Sequence, residues 1–184
     1  MAGDAVQSDQ FWLHWFRDAA RVLASFTKPT GCGFVFCDYR TVHLVERAFA
    51  GCAGWYVGQC LVWDREATGM GSPFRASHEM IAFVRGPNFQ WAGPRNVRNV
   101  LRCRWPYNET PHHPAEKPVA LISRLIELTL PLGGRVFDPF AGGGSTLVAA
   151  RNIGRKAIGI EIDEHYCDVV RRRCSQEVLP LEAS

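Results

Sequence analysis

The sequence predicts an α/β fold whose sheet is mainly parallel and carries an antiparallel hairpin at one edge. Three observations carry that expectation. Strand-like and helix-like runs alternate along most of the chain. Two strand-like runs, "WYVGQCLVWD" (55–64) and "HEMIAFVRG" (78–86), follow one another with no helix between them. Near the end, "FDPFAGGGSTLVAARNIGRKAIGIEID" (137–163) runs strand, glycine-rich turn, helix, strand, acid.

The elements follow in order. "FWLHWFRDAARVLASF" (11–26) sets Phe11, Trp12, Trp15, Phe16, Ala19, Val22 and Leu23 at helical spacing, with Ser8 or Asp9 as the cap and the aromatic stripe expected in the core. "KPTGCG" is a turn, and "FVFCD" (34–38) is a short buried strand ending in an acid. "TVHLVERAFAGC" is a second helix closed by Gly51. The hairpin strands are joined by "REATGMGSPFRAS". Residues 87–111 hold Pro, Gly and Asn with little periodicity and read as a loop. "KPVALISRLIELTLP" (117–131) is an amphipathic helix, "GRVFDP" a strand, "STLVAARNIG" a helix, "KAIGIEID" a strand and "EHYCDVVRRRCSQEV" a closing helix.

Composition narrows the class. Apolar residues at 47% and charged residues at 21% of 184 suit one soluble domain with a real core. The longest apolar run falls far short of a membrane span. The polar, acidic start "MAGDAVQSDQ" has no signal-peptide character, so a cytoplasmic location and no membrane partner are expected. Seven cysteines, an odd number without CxxC or metal-like spacing, are expected as free thiols. Net charge is only +3, but lysine occurs solely at Lys28, Lys117 and Lys156. An arginine-heavy composition fits a GC-rich genome or phosphate contact. Distribution favours contact. From Met80 to Asn108 there is no acid, and Arg85, Arg95, Arg98, Arg102 and Arg104 lie there among Phe89, Trp91, Trp105 and Tyr107. That pattern points to nucleic acid rather than a solvated face.

The glycine-rich stretch carries the sharpest chemistry. Gly142, Gly143 and Gly144 follow a strand ending in Asp138, so backbone can approach a ligand closely. Glu161 ends the next strand, where a carboxylate can accept ribose hydroxyls. A pyrophosphate turn is normally GxGxxG, whereas "DPFAGGGST" sets an acid and an aromatic before the glycines. An acid there suits a cofactor with a cationic amino-acid end, S-adenosyl-L-methionine rather than a dinucleotide.

Here the chain resembles the amino-methyltransferases that act on adenine N6 or cytosine N4 in DNA. "FDPFAGGGST" resembles their cofactor loop, "HPAEKP" (113–118) their second cofactor motif, "GIEIDEHY" (159–166) their ribose-binding acid, and residues 61–86 their hairpin. The resemblance covers nearly the whole chain. It implies a Rossmann-like, S-adenosylmethionine-dependent methyltransferase sheet of the circularly permuted class, in which the catalytic half precedes the cofactor half. By position, Asp138, Phe140, Ala141, Gly142, Gly144 and Ser145 would line the cofactor. Glu161 would hold the ribose, Ile162 would pack on adenine, and His113, Lys117 and Pro118 would close the methionine end. The arginines of 87–111 would contact DNA. The implied organisation is one domain: a catalytic-half remnant with the hairpin (1–86), a basic DNA-contacting loop (87–111) and a cofactor-binding half (112–184).

One family element is not found. The catalytic tetrapeptide D/N/S-P-P-Y/F/W orients and activates the amino group of a flipped-out base, and no PP pair occurs in these 184 residues. "WPYN" (105–108) has Trp105 where the polar acceptor belongs. The expectation is therefore a fold truncated at its N-terminus, with "GRVFDP" paired to "FVFCD", paired to a strand from a second chain or homo-oligomer, or left with an open edge. The competing expectation is a cofactor- and nucleic-acid-binding subunit without catalysis of its own.

Overall fold

The computed structural model describes residues 2–69, 73–106 and 110–175. The chain divides into two compact units, Met1–Arg102 and Cys103–Ser184. Part of the basic segment, residues 100–102, is built into the sheet of the first unit. Among the described residues no helix is long and apolar enough to cross a membrane. All seven cysteines are present as thiols.

The first unit contains α1 (Ala2–Phe26), β1 (Cys32–Cys37), α2 (Val42–Phe49), β2 (Tyr56–Asp64), β3 (His78–Arg85) and β4 (Val100–Arg102). The sheet order is β1-β3-β2-β4. β3 is antiparallel to both β1 and β2, and β4 is parallel to β2. The hairpin β2–β3 forms as the sequence predicts. It does not lie at the edge, however, and in this unit antiparallel pairing dominates. The physical reason is burial. Ile81, Ala82, Phe83 and Val84 are all buried, so β3 needs cover on both faces and both edges.

Alternation along β3 sorts the two faces. Ala82 and Val84 pack with Val45, Ala48, Phe49 and Ala20 of the two helices. Phe83 points the other way, stacked on Phe34 with ring centroids 5.1 Å apart, and Phe89 and Trp91 meet it edge-on. The Asp38 carboxylate accepts from the backbone N–H groups of Arg40 and Thr41 and from the Thr41 hydroxyl, which fixes the entry to α2.

α1 starts at Ala2, so Ser8 and Asp9 lie within it rather than at its cap. Its aromatic stripe is also not the core that the spacing suggests. Leu13 and Ala20 are buried, with Phe16 and Leu23 half-buried on the same face. Phe11, Trp12, Trp15 and Val22 are exposed, Trp12 to 44%. The buried face follows the small and aliphatic residues. The indoles instead pack edge-on against one another and against Phe16.

The second unit contains α3 (Val119–Thr129), β5 (Arg135–Asp138), α4 (Ser145–Asn152), β6 (Lys156–Gly159) and α5 (Glu164–Ser175). β5 and β6 are parallel, with Asp138 opposite Gly159. α4 packs on both strands and against α3 and α5. A Cβ at Gly159 would meet Leu147 at 2.7 Å, so that glycine lets α4 approach the sheet. Leu121, Ile122, Leu125, Val148, Ala149 and Val169 form the buried helix layer. Arg151 donates to the carbonyls of Arg173 and Cys174 and so closes the C-terminal end of α5.

"GRVFDP" does not pair with "FVFCD". Among the described residues β5 pairs only with β6, and β1 only with β3.

Candidate cofactor site

The site is built where β5 and β6 end, within the second unit. The backbone zips the turn to the strand end: Ile160 N–H donates to the Asp138 carbonyl and Ala141 N–H to the Ile160 carbonyl, each at 2.9 Å. The Asp138 carboxylate accepts from Phe140 N–H at 3.0 Å. Gly142 and Gly144 have φ of +50° and +83°, which other residues adopt at a cost. A Cβ on Gly144 would also stand 2.8 Å from Val170 of α5. Both positions favour glycine for conformation, and Gly144 needs it for space as well.

Glu161 faces this turn. Its Oε2 accepts from Gly142 N–H at 2.7 Å, and its Oε1 accepts from the N–H groups of Ile162 and Asp163 at 2.9 Å. These donors, the Asp163 N–H foremost, hold its carboxyl below the usual carboxylate range. A carboxylate offers about four acceptor positions. Three are taken by backbone, and one remains on Oε2. Beside it, Ile162 is 100% exposed and Phe140 is 60% exposed. A charged acceptor set among bare apolar side chains suits a ligand with a hydroxylated sugar and a flat ring.

The other side of the turn is covered. The His113 ring lies over Gly142, 3.4 Å from where a Cβ would stand. His113 is held in turn by Ala115 N–H, which donates to Nδ1 at 3.0 Å, and by Tyr166 of α5 at 4.5 Å between ring centroids. Beneath Gly143 lies an ion pair. Glu116 Oε1 accepts from Arg173 at 2.6 Å and from the Ser145 hydroxyl at 2.9 Å, while Oε2 accepts from His112 N–H. Arg173 also donates to the Gly143 carbonyl. Burial alone would raise the Glu116 carboxyl, but the His112 N–H, Ser145 and Arg173 outweigh it and hold it below its ordinary range.

The structure thus gathers Asp138, Phe140, Ala141, Gly142, Gly144, Glu161, Ile162 and His113 at one strand end. The other three expected residues are placed as follows. Ser145 is buried with its hydroxyl engaged by Glu116. Pro118 is buried as the residue before α3 and lines a cleft of about 660 Å³ with Arg104, Arg151 and Arg172. Lys117 is half-buried beside it. Sequence reasoning missed Glu116, Tyr166 and Arg173. Glu116 had a visible signal as the one acid of "HPAEKP". Arg173 had none, since it stands third in a run of three arginines.

The basic segment is divided. The Arg85 guanidinium sits over the rings of Tyr56 and Phe83 and donates to the Gly58 carbonyl, so it is engaged with the sheet. Phe89 and Trp91 pack on Phe83. Arg95 and Arg98 are exposed. Arg102 is exposed and ends β4, 3.7 Å from the Asp64 carboxylate. Arg104 belongs to the second unit. Tyr107 and Asn108, and with them half of "WPYN", lie outside the described residues.

A DNA methylase family model of the N6/N4 type matches residues 3–172. The chain belongs to the N6/N4 DNA methylase family. Among its relatives in this family, a putative methylase, YubD, of Escherichia coli K12 is 52% identical over 152 residues, which span 83% of this chain and 65% of YubD. The type II methyltransferase M.HpaI of Haemophilus parainfluenzae is 23% identical over 91% of this chain and 60% of its own length. The chain therefore spans less than two thirds of the length of these two relatives. Solved methylases share its fold. The cytosine-N4-specific PvuII DNA methyltransferase superposes with a TM-score of 0.79 at 17% identity, over 96% of this chain and 73% of its own. The M1.HpyAVI–SAM complex superposes at 0.71 and 24% identity, over 88% and 81%.

Proposed function

We propose that this chain binds S-adenosyl-L-methionine on the Gly142–Gly144 turn and is the donor-holding, DNA-contacting part of a DNA amino-methyltransferase acting on adenine N6 or cytosine N4. The observation that carries the reading is Glu161, a carboxylate tied to Gly142 N–H, with Ile162 next to it in the chain and Phe140 in the same turn both exposed. The free position on Oε2 accepts a ribose hydroxyl, Ile162 covers adenine, and the Asp138 end of the turn receives the cationic methionine end. The relative named as a type II methyltransferase supports a modification enzyme of the restriction–modification kind, and a cytoplasmic location goes with that reading. Exposed Arg95, Arg98 and Arg102 supply phosphate contacts.

The chemistry at the base requires a polar oxygen, a proline carbonyl and a stacking ring, which the family places in a tetrapeptide not found in these 184 residues. Orientation of that kind accounts for about 7–11 kcal/mol of barrier lowering. We therefore expect the 184-residue chain alone to transfer methyl groups many orders of magnitude more slowly than a complete enzyme. A second reading, half of a split enzyme or a binding subunit, is favoured by the edge positions of β1 and β5. An edge strand is where a strand from another segment or a second chain can add. The test is tritium transfer from labelled S-adenosylmethionine to mixed-sequence DNA, with the chain alone and with a polypeptide carrying the tetrapeptide added. Turnover by the chain alone at about 1 per minute or faster, against the slowing expected without orientation, would sink the split reading.

A further inference from the structure

Three glycines in succession cannot specify their own conformation, because glycine enters left-handed and right-handed regions with similar ease. The Gly142–Gly144 turn nevertheless uses one set of angles, with left-handed residues at both ends. Something outside it must hold it. Glu161 holds one point, the N–H of Gly142. The remaining two points converge on one buried carboxylate. The Ser145 hydroxyl binds Glu116 directly, and the Gly143 carbonyl binds Arg173, which is paired to Glu116. The Glu116 side chain is only 3% exposed and that of Arg173 15%. The fit is close: a Cβ on Gly143 would stand 3.3 Å from both Arg173 Nη1 and Glu116 Oε2.

We propose that Glu116 is a positioning residue which, through Ser145 and Arg173, sets the conformation of the turn that receives the methyl donor. The proposal rests on the reading that this turn binds S-adenosylmethionine. It assigns the acid of "HPAEKP" a role distinct from that of His113, whose ring lies over Gly142. Stability alone is a poor explanation for the pair. A buried ion pair is often no more stabilising than apolar residues of the same volume. What apolar residues would not supply is an acceptor for Ser145 and a donor for the Gly143 carbonyl.

The test compares the full chain with Glu116→Ala, Glu116→Gln, Arg173→Ala and the double alanine variant. Hydrogen exchange is read in the absence of ligand, and affinity for S-adenosylhomocysteine is read by calorimetry. Exchange at residues 141–146 should accelerate at least tenfold in Glu116→Ala, with β6 and α3 unchanged and the dissociation constant raised at least tenfold. Glu116→Gln should recover part of both effects. Its amide oxygen still accepts from Ser145 and Arg173, while its NH₂ faces the His112 N–H. The double variant should be no worse than Glu116→Ala, because the two residues act as one. If Glu116→Ala does not fold, Glu116→Gln and Ser145→Ala carry the same test, with at least threefold faster exchange confined to the turn. A lowered melting temperature with wild-type exchange at the turn would overturn the proposal, as would uniform acceleration through the second unit. If the wild-type chain does not bind S-adenosylhomocysteine, the functional reading fails, and the exchange comparison still decides the role of Glu116.

Discussion

Replacing Glu161 by alanine probes the ribose contact and the turn together, and the structure allows the two to be separated. Backbone N–H groups occupy three of about four acceptor positions on the carboxylate, which leaves one on Oε2. A ligand with two ribose hydroxyls therefore makes one full hydrogen bond to this side chain, and the second hydroxyl shares. A hydrogen bond to a charged acceptor contributes about 1.5–3 kcal/mol. Glu161→Ala should thus weaken S-adenosylhomocysteine binding by roughly 10- to 150-fold at about 1.4 kcal/mol per decade. Glutamine should not rescue it, because its NH₂ must face either the Gly142 N–H or the pair from Ile162 and Asp163.

Calorimetry on wild type and variant, with circular dichroism as the fold control, gives the first reading. A 2′,3′-dideoxy analogue of the ligand gives the second. In wild type, removing the hydroxyls should cost about as much as removing Glu161, and in Glu161→Ala it should cost little more. If the hydroxyls matter equally in both proteins, Glu161 acts only by holding Gly142. If Glu161→Ala binds within twofold of wild type, the carboxylate is not in the site.

Further outcomes are expected from the same geometry. Gly144→Ala forces a residue with a side chain to φ +83° and sets a Cβ 2.8 Å from Val170, so it should cost more than the roughly 1–2 kcal/mol of a left-handed residue. Gly133→Ala, at φ +74° with open space, should cost only the backbone part, and urea melts compare the two. Changing Arg95, Arg98 and Arg102 together to glutamine should reduce the slope of log affinity for DNA against log salt by about 0.9 for each phosphate no longer neutralised. Arg85→Gln should lower stability and leave that slope unchanged, since Arg85 is engaged with Tyr56, Phe83 and Gly58. Glu116 and Glu161 are held below the ordinary carboxylate range in the folded chain, so each contributes stability fully present above that range. That contribution should disappear as pH falls through the depressed values, and denaturation at stepped pH should show a weaker fall in acid in Glu116→Gln than in wild type.

Local patterns were legible where a short stretch of sequence settles its own geometry. The hairpin needed only two apolar runs with no helix between, and the turn needed only its glycines between a strand and a helix. The position of Glu161 followed from that turn and the strand after it, while Ile162 and Phe140 came from the family resemblance. Partner choice was not legible. Nothing in "FVFCD" says that it pairs antiparallel with β3 rather than parallel with β5. That choice depends on which strand most needs burial, and β3 does. The aromatic stripe of α1 misled for a related reason. Helical spacing shows which residues share a face but not which face turns inward, and here small Ala20 and aliphatic Leu13 are buried while Trp12 and Trp15 are not. The Glu116–Arg173 pair joins residues 57 positions apart and has no local signature.

The candidate roles also divide along the chain. Every side chain of the candidate cofactor site, from His113 through Glu161 to Arg173, belongs to the second unit. Arg85, Arg95, Arg98 and Arg102 belong to the first. The groups around the turn are carboxylates engaged by backbone and side-chain donors, a covering imidazole, and exposed apolar side chains. Such a set can fix a nucleoside in place. Glu161 has three of about four acceptor positions filled and Glu116 is buried against Arg173, so neither of these two carboxylates is placed to take up a proton. The second unit is therefore suited to hold a methyl donor rather than to activate an acceptor.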